Sequence, residues 1–442
     1  MQIILLSGGS GKRLWPLSNN IRSKQFIRLL PTEYGGKESM LQRVVRQLKD
    51  AGMSDSVTIA TSGLQCDTII NQLGNKVSVV TEPERRDTFP AIALASSYLA
   101  WEKKCDMDEV VVVMPCDSFT ESGYFKTVLL MVDAVEKNRA DLVLMGIKPT
   151  SPSSKYGYII PKREKMEGPL YPVARFTEKP NVEIADKLIS EGAFWNGGVF
   201  AFRLGYMMNI VDKYTWTDTF AEVRSRYGEF PKISFDYEVV EKAKSVAVVE
   251  FDGLWKDLGT WNALTDELRD HTIGDVMMDD SSENTYVINE LGIPIMCMGL
   301  QDLIVAASYD GILISERNRS ENIKSFADCL DRDPMFEERR WGKYKIIDVM
   351  NLLDGSEVQT RLLTIDAGKN TSYHSLYYRD KVLTCIDGEG ELVLDGITTK
   401  IGRGDVFSIK RRMKHAVKAL TTLRFVEVQS GIFLEGDSER SD

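Results

Sequence analysis

The sequence begins Met1-Gln2-Ile3-Ile4-Leu5-Leu6-Ser7-Gly8-Gly9-Ser10-Gly11-Lys12-Arg13-Leu14-Trp15-Pro16 and soon reaches Lys24-Gln25-Phe26. The apolar run Ile3–Leu6 predicts a buried strand that leads directly into a glycine-rich turn. The three glycines carry no Cβ, so a phosphate can approach their amides closely, and Arg13 and Lys24 add positive charge. This pattern predicts a nucleotide-phosphate site at the end of the first strand.

The glycine-rich turn matches neither of the two best-known phosphate loops. A Walker loop needs Lys followed by Ser or Thr after its last glycine, whereas Lys12-Arg13 follows Gly11. A dinucleotide fingerprint needs G-x-G-x-x-G, and Leu14 stands where its third glycine would be. The alternative is an ordinary strand-to-helix turn, but the basic residues favour a phosphate site.

Length and charge narrow the class of protein. A chain of 442 residues suggests two or three domains, and a net charge of −10 argues against broad binding to nucleic acid or to an anionic membrane. No run approaches the about 18 apolar residues of a membrane span, and the first residues lack the pattern of a signal peptide. We therefore expect a soluble, cytoplasmic protein with a local basic pocket.

Apolar runs alternate with amphipathic segments from residue 1 to about 265, which predicts a Rossmann-like α/β domain with a mixed, mostly parallel sheet. Residues 266–335 read as a small β module with a linker helix, 336–436 as an all-β domain and 437–442 as a tail. Predicted strands are Ile3–Leu6, Ser56–Ala60, Val77–Val80, Val110–Met114, Leu142–Ile147 and Gly198–Phe202. Predicted helices are Met40–Ala51, Pro90–Lys103 and Glu321–Leu330.

Two carboxylates follow strand-like segments of the first domain. Asp117 ends the apolar run that starts at Val110, and Asp257 lies in Leu254-Trp255-Lys256-Asp257-Leu258-Gly259. Ligands collect at the carboxyl ends of parallel strands, and hard carboxylate oxygens suit Mg²⁺ beside phosphate oxygens. A role as a helix cap or turn residue is the alternative for Asp117.

A sugar-phosphate pocket is predicted by two further segments, Phe176-Thr177-Glu178-Lys179-Pro180 and Phe194-Trp195-Asn196-Gly197-Gly198. Glu178 and Asn196 can share hydrogen bonds with sugar hydroxyls, and Lys179 can meet a phosphate. The plain alternatives are a solvated Glu178–Lys179 charge pair and a core role for Trp195.

Taken together, these motifs resemble the sugar-nucleotidyltransferases, most closely the long-form bacterial mannose-1-phosphate guanylyltransferases. The resemblance runs over nearly the whole chain. Besides the segments quoted above it includes Glu82-Pro83, Arg86-Asp87-Thr88-Phe89-Pro90, Pro115-Cys116-Asp117, Tyr156-Gly157-Tyr158-Ile159, Asp236-Tyr237 and Glu241-Lys242.

The resemblance implies a GT-A-like nucleotidyltransferase domain over residues 1–265 and a role for each motif. Nucleotide binding would fall to Gly8, Gly9, Gly11, Arg13, Lys24, Arg86 and Asp87, with Arg13 and Lys24 also catalytic. Sugar-phosphate binding would fall to Gly157, Glu178, Lys179 and Asn196, and Mg²⁺ binding to Asp117 and Asp257. The implied reaction is attack of a sugar-1-phosphate oxygen on the α-phosphorus of a nucleoside triphosphate, releasing pyrophosphate.

Several positions depart from the family pattern. Ser23 stands where the family usually has Pro, Asp87 where it has Asn, and Ser118 where it has His. A carboxylate at position 87 accepts hydrogen bonds only, so it could favour guanine, which presents adjacent N1–H and N2–H donors. We expect GTP and mannose 1-phosphate as substrates; another sugar phosphate or nucleotide, or a silent regulatory homologue that binds nucleotide sugars, are the alternatives.

The C-terminal domain reads as a cupin-like β-barrel that has lost its metal site. By the cupin spacing from Gly368 and Gly404, His374 and His415 are the two expected ligands that remain. Leu376 and Lys381 replace the other two, and Lys381 would place an ammonium beside a metal. Phosphomannose isomerase activity, which some long-form relatives carry here, is therefore not expected. We expect the domain to serve packing or dimerisation, with a homodimer as the assembly.

Overall fold

The structure of the protein, a computed structural model, describes residues 1–9, 11–32, 35–53, 56–75, 77–165, 168–330, 332–434 and 438–440. Residue contacts divide the chain into two compact units. The first contains Met1–Ser10, Ser23–Cys66 and Asn75–Arg269; the second contains Gly11–Arg22, Asp67–Gly74 and Asp270–Asp442. Each unit therefore draws on separate stretches of the sequence.

The α-helices are α1 (Met40–Asp50), α2 (Cys66–Leu73), α3 (Thr88–Trp101), α4 (Ser122–Glu136), α5 (Val182–Ser190), α6 (Leu204–Val211), α7 (Phe220–Ser225), α8 (Trp261–Thr265) and α9 (Ile323–Ala327). Short 3₁₀ helices lie at Lys12–Leu14, Lys24–Phe26, Gly63–Gln65, Arg163–Lys165, Tyr227–Glu229 and Arg317–Asn322, and a π-helix at Asp236–Val240. No helix in the described part of the chain is long and apolar enough to cross a membrane.

The first unit is built on a mixed sheet. The strands of this unit are β1 (Gln2–Ser7), β2 (Leu30–Pro31), β3 (Lys37–Glu38), β4 (Val57–Ser62), β5 (Ser78–Glu82), β6 (Val110–Pro115), β7 (Ser118–Thr120), β8 (Leu142–Ile147), β9 (Tyr158–Pro161), β10 (Leu170–Thr177), β11 (Phe194–Arg203), β12 (Val246–Phe251) and β13 (Trp255–Asp257). The order in the main sheet is β5-β4-β1-β6-β11-β8-β12-β10-β9. Strands β5, β4, β1 and β6 are parallel neighbours, as are β8 and β12, whereas β9, β10 and β11 run antiparallel to their neighbours.

The sequence of the central strands explains their position. Residues 110–114 of β6 and all of β8 are buried, as expected for strands covered on both faces by helices. Helix α3 is buried around most of its circumference and shares one apolar core with these strands. The sheet therefore holds the carboxyl ends of β1 and β6 side by side.

The second unit contains a small solenoid followed by a barrel. The strands of the solenoid are β14 (Thr272–Ile273), β15 (Val276–Met278), β16 (Tyr286–Asn289), β17 (Ile295–Cys297), β18 (Leu303–Ser308) and β19 (Gly311–Glu316). Strand β14 pairs with β16 and β16 with β18 in parallel, β15 pairs with β17 in parallel, and β19 closes the edge antiparallel to β18.

The barrel consists of two antiparallel sheets. Its strands are β20 (Phe336–Arg339), β21 (Gly342–Asn351), β22 (Glu357–Ile365), β23 (His374–Leu376), β24 (Arg379–Asp387), β25 (Gly390–Leu394), β26 (Ile397–Ile401), β27 (Val406–Ile409), β28 (His415–Ala419), β29 (Leu423–Gly431) and β30 (Ser438–Arg440). The strand orders in the two sheets are β20-β21-β22-β29-β24-β27 and β26-β25-β28-β23-β30. Side chains from both sheets fill a common apolar core.

These elements confirm the predicted α/β class, the mixed sheet and the C-terminal β-barrel. Strands β9, β10 and β12 belong to the main sheet but were not predicted. The predicted helix Glu321–Leu330 is shorter, since only Ile323–Ala327 is α-helical. The division into domains at 265 and 335 stays a prediction, and Ser10 and residues 437, 441 and 442 of the predicted tail lie outside the described residues.

Candidate active site

The loop after β1 contains the glycines that the sequence analysis assigned to phosphate binding. Gly9 has φ +117°, a conformation that residues with a Cβ rarely adopt. A Cβ placed on Gly8 or Gly9 would meet no heavy atom within 4 Å, so open space lies beside this backbone. The backbone conformation at position 9 therefore requires glycine, and the space beside Gly8 and Gly9 can admit a ligand.

Side chains from neighbouring segments hold the loop in place. The Ser23 hydroxyl donates to the Gly9 carbonyl at 3.0 Å, and Gln65 Nε2 donates to Ser23 Oγ at 2.6 Å. Thr61 Oγ1, at the end of β4, donates to the Ser7 carbonyl at 3.0 Å. Ser23 thus fixes the glycine loop through a hydrogen bond. Gln65 and Thr61 could not be predicted as part of the site, because no motif marks them.

Lys24 bridges the two predicted metal-binding carboxylates. Its Nζ lies 2.9 Å from Asp117 Oδ2 and 2.8 Å from Asp257 Oδ1. The Lys24 side chain is 16% exposed, so the ammonium is largely shielded from water. Burial alone would lower the pKa of Lys24, but the two carboxylates outweigh it and raise the pKa above its usual value. Lys24 stays charged at any physiological pH.

The fold explains why these carboxylates meet. Asp117 follows the carboxyl end of β6, which pairs with β1, and β7 begins one residue later. Strand β13 pairs antiparallel with β7, with Asp257 opposite Ser118. This short ladder brings Asp257 next to Asp117 although 140 residues of sequence separate them.

The pair Asp117 and Asp257 fits a Mg²⁺ ion that is shared with a substrate. Mg²⁺ commonly keeps several waters and binds through one or two carboxylates together with substrate phosphates. Among the described residues no group of three or more His, Cys, Asp and Glu side chains is placed to hold a metal alone. These two carboxylates, which share one ammonium, would therefore hold the ion once phosphate oxygens complete its coordination.

A second cluster forms around Glu178 at the end of β10. Its side chain is 5% exposed, and Oε1 accepts a hydrogen bond from Lys179 Nζ at 2.7 Å. Its other oxygen, Oε2, is buried without a hydrogen-bond partner among the residues described. A buried carboxylate oxygen with an unused acceptor is suited to receive a sugar hydroxyl.

Asn196 connects this cluster to Asp236, which the sequence analysis quoted in a motif without giving it a role. Asn196 Nδ2 donates to Asp236 Oδ1 at 2.6 Å, and Asn196 Oδ1 accepts from the Gly198 amide at 3.1 Å. Burial, and then the negative charge of Glu178, raise the pKa of Asp236 to about 6. The carboxylates of Glu178 and Asp236 and the amide of Asn196 thus form one polar cluster that is largely buried.

An aromatic cluster lies beside these polar groups. The ring of Tyr156 is 4.8 Å from that of Trp195 and 5.4 Å from that of Trp255, between centroids. Trp195 precedes Asn196 on β11, and Trp255 lies two residues before Asp257 on β13. The cluster therefore connects β11, which carries Asn196, to β13, which carries Asp257.

The remaining predicted site residues are placed as follows. Gly11 and Arg13 belong to the second unit, where Arg13 is exposed on the 3₁₀ helix Lys12–Leu14. Arg86 donates to the Phe230 carbonyl at 3.0 Å and to Glu84 Oε1 at 2.7 Å. Asp87, at φ +76°, accepts from the Thr88 amide at 2.7 Å and caps α3. Their predicted roles in nucleotide binding, including the guanine contact, stay predictions.

Gly157→Ala is expected to raise the KM for the sugar phosphate roughly 10- to 100-fold. The new Cβ would collide with Glu178 Oε2 and lie 2.8 Å from Phe176 Cζ, so the Glu178 carboxylate would have to move. Gly63→Ala is the matched control, because a Cβ there meets nothing within 4 Å. Steady-state kinetics of both variants test this, and an unchanged KM in Gly157→Ala would contradict the placement of Glu178.

Asp236→Asn is expected to stabilise the protein near pH 7.5 but not near pH 4. The folded-state pKa of about 6 lies above the ordinary 3.8, so wild type loses stability as pH rises between these values. The asparagine does not titrate and can still accept from Asn196, so its advantage should grow to at most about 3 kcal/mol above pH 6.

Denaturant unfolding of both proteins across pH 4–8 measures this difference. The charged groups that act on Asp236 are Glu178 and Lys179. In a chain that keeps Asp236, the substitution Glu178→Gln should remove part of the pH dependence of stability, because the charge of Glu178 contributes to the raised pKa of Asp236. If the difference in stability between Asp236→Asn and the wild type stays constant with pH, the raised pKa of Asp236 is refuted.

The chain is similar to known proteins over most of its length. The model of the nucleotidyl transferase family matches residues 2–272. The chain is 29% identical over 476 residues to mannose-1-phosphate guanylyltransferase of Escherichia coli K12, covering 98% of this chain and 96% of that protein. It is 27% identical over 471 residues to mannose-1-phosphate guanylyltransferase RfbM of Salmonella typhimurium LT2, covering 98% and 95%.

A similar solved structure is described as mannose-1-phosphate geranyltransferase from Thermus thermophilus. It superposes with a TM-score of 0.62 at 26% identity and covers 75% of this chain and 99% of that one. The similarity therefore extends over most of the chain in structure and over nearly all of it in sequence.

Proposed function

The chain belongs to the nucleotidyl transferase family, and we propose that it transfers the guanylyl group of GTP to mannose 1-phosphate. The products are GDP-mannose and pyrophosphate. The single observation that carries the proposal is the contact of Lys24 Nζ with both Asp117 and Asp257 at 2.8–2.9 Å. This contact brings one cation and two potential metal ligands together beside the carboxyl ends of strands β1 and β6. Full-length relatives named for this activity supply the choice of substrates.

The reaction brings two anions together, so its main demand is to neutralise and align charge at the α-phosphorus. The backbone of Gly8 and Gly9 lines open space for the triphosphate. Lys24 moves from its carboxylate partners to the α-phosphate as the nucleotide binds, and its ammonium offsets the charge that builds up during attack. Pyrophosphate leaves opposite the attacking oxygen, so a covalent enzyme intermediate is not required.

Asp117 and Asp257 would hold a Mg²⁺ ion in the loaded enzyme. When bound, the ion supplies positive charge and a template that orients the triphosphate. The two oxygens that contact the Lys24 ammonium face the same small volume. An ion bound to both carboxylates would therefore take the place of the ammonium. A contact of Arg13, which belongs to the second unit, with the nucleotide phosphates stays a prediction from the sequence.

The sugar phosphate is proposed to bind at the Glu178 cluster. Glu178 Oε2 accepts a sugar hydroxyl, Asn196 contacts another, and Lys179 meets the phosphate as it leaves its contact with Glu178 Oε1. Tyr156 and Trp255 supply an apolar wall against which a sugar ring can pack. A homodimer and a cytoplasmic location remain predictions from the sequence.

A substrate panel tests the proposal. The purified chain is incubated with GTP, ATP, CTP or UTP and with mannose, glucose, galactose or fucose 1-phosphate, in Mg²⁺ with pyrophosphatase, and products are read by mass. We expect GDP-mannose as the main product. Formation of a different nucleotide sugar as the main product would overturn the substrate assignment while keeping the reaction type.

A further inference from the structure

The outer surface of the C-terminal barrel contains a wide area without charged side chains. It lies on the sheet with the strand order β20-β21-β22-β29-β24-β27. Leu363, Phe425 and Leu383 mark the inward positions of β22, β29 and β24, because all three are buried in the barrel core. Successive residues of a strand point to opposite faces of its sheet. The residues between these inward positions therefore point outward.

Two neighbouring rows of outward residues cross four strands, and the members of each row lie directly opposite one another. From β22 to β27, the first row is Leu362, Val426, Thr384 and Val406. The second row is Thr360, Val428, Val382 and Ser408. These eight side chains are uncharged, although charged residues make up 27% of the chain. The solvated face of an antiparallel sheet normally carries polar and charged residues at such positions.

Apolar side chains on and beside these rows are open to solvent. Val382 is 39% exposed and Val406 is 61% exposed. Met350 of β21, which lies opposite Val358 of β22, is 54% exposed. Leu353, in the turn that joins β21 to β22, is fully exposed. Soluble monomers rarely expose a contiguous apolar patch of more than a few hundred Å², so a patch of this kind marks an interaction surface.

The size of this face suits a contact between two protein chains. The five strands β21, β22, β29, β24 and β27 span about 24 Å across, and four rows of outward residues span about 20 Å along the strands. The flat projection is therefore about 480 Å², and the relief of the side chains and the turn after β21 add to it. Stable interfaces bury about 800 Å² on each partner. One such face can thus supply most of an interface.

Charged side chains lie at the two ends of the face and balance each other there. Arg424 and Asp387 lie opposite each other at one end and form an ion pair. At the other end, Asp380 accepts from the Arg411 amide at 2.7 Å and lies 3.4 Å from the Arg411 guanidinium. Each end is therefore neutral, so two copies of this face do not repel each other despite the net charge of −10. A two-fold axis lets the positive group of one copy meet a negative group of the other.

We propose that this outer face of the barrel binds the same face of a second copy of the chain. The two sheets then pack face to face, about 10 Å apart, as in a β-sandwich. Val382, Val428 and Val426 lie in the centre of the contact, and the charged pairs lie at its rim. The sequence analysis expected a homodimer but named no surface for it. The inference is independent of the proposed transferase function, because none of the residues assigned to that reaction lies on this face.

Sedimentation equilibrium of the full chain over a range of concentrations tests the proposal. We expect the wild type to reach twice the mass of one chain. Val382→Lys and Val406→Lys should each raise the Kd of the dimer at least about 100-fold, because each places an unpaired ammonium in an apolar contact. Ile397→Lys is the matched control and should leave the Kd unchanged, since Ile397 is exposed on β26 of the other sheet.

Two results would overturn the proposal. The first is a wild type that sediments as a monomer at every concentration, which would leave this face to a different partner. The second is a dimer whose Kd is unchanged in both lysine variants of the face. Met296→Lys, at an exposed methionine of the solenoid, then shows whether the dimer forms through the solenoid instead.

Thermal unfolding checks that each variant folds. Because the Val406 side chain is largely exposed, Val406→Lys should fold even if Val382→Lys does not. Loss of transferase activity has no bearing on the sedimentation results, so the two proposals fail separately.

Discussion

Asp257→Asn is expected to lower kcat/KM for pyrophosphate release at least about 100-fold, even at saturating Mg²⁺. The amide keeps the size of the side chain but loses the charge that now pairs with Lys24 at 2.8 Å and that would hold the metal. Because Asp257 is 34% exposed and lies on the short strand β13, the substitution should leave the core intact.

Asp252→Asn is the matched control, since this exposed aspartate lies in the turn between β12 and β13. A coupled pyrophosphate assay with GTP and mannose 1-phosphate compares the two variants across Mg²⁺ concentrations. Near-normal turnover of Asp257→Asn in saturating Mg²⁺ would remove this residue from the mechanism. A loss of the same size in Asp252→Asn would show that the turn, rather than the carboxylate, is responsible.

Lys24→Met is expected to lower kcat about 100- to 1,000-fold, since the variant loses the cation proposed to act at the α-phosphate. Without nucleotide, the same variant should bind Mn²⁺ more tightly than the wild type. In the wild type a metal must displace the ammonium that contacts both carboxylates, and in Lys24→Met this competitor is gone. The two effects have opposite signs, which a general loss of structure cannot produce.

Electron paramagnetic resonance of free Mn²⁺ measures the affinity, and rapid-quench assays measure the rate. Lys24→Arg is the control that keeps the charge, so its Mn²⁺ affinity should stay near that of the wild type. Weaker Mn²⁺ binding in Lys24→Met would mean that Lys24 supports the metal site rather than competing for it, and would contradict the proposed movement of this side chain.

The sequence was sufficient to predict those parts of the fold and site that depend on local patterns. The apolar run from Val110 predicted a buried strand, and the carboxylate that follows it, Asp117, lies at the strand end as expected. The glycine-rich turn after Leu6 was equally clear, because glycines between a buried strand and basic residues are typical of a loop that approaches a phosphate closely.

The sequence did not reveal contacts that join distant segments. Lys24 was assigned to phosphate, and its ion pairs with Asp117 and Asp257 follow from the β7–β13 ladder, which no periodicity marks. Asp236 has its raised pKa because the fold buries it beside Glu178, 58 residues away in the sequence. Strands β9 and β10 escaped prediction because they are short or half exposed, so their apolar pattern is weak.

The central claim is that Lys24, Asp117 and Asp257 surround the phosphorus atom that is transferred. Its most direct test is the product formed from GTP and mannose 1-phosphate by the wild type, with Mg²⁺ and with EDTA, read by mass spectrometry. We expect GDP-mannose and pyrophosphate in Mg²⁺ and neither in EDTA. Absence of any nucleotide sugar in Mg²⁺, or equal product in EDTA, would contradict it.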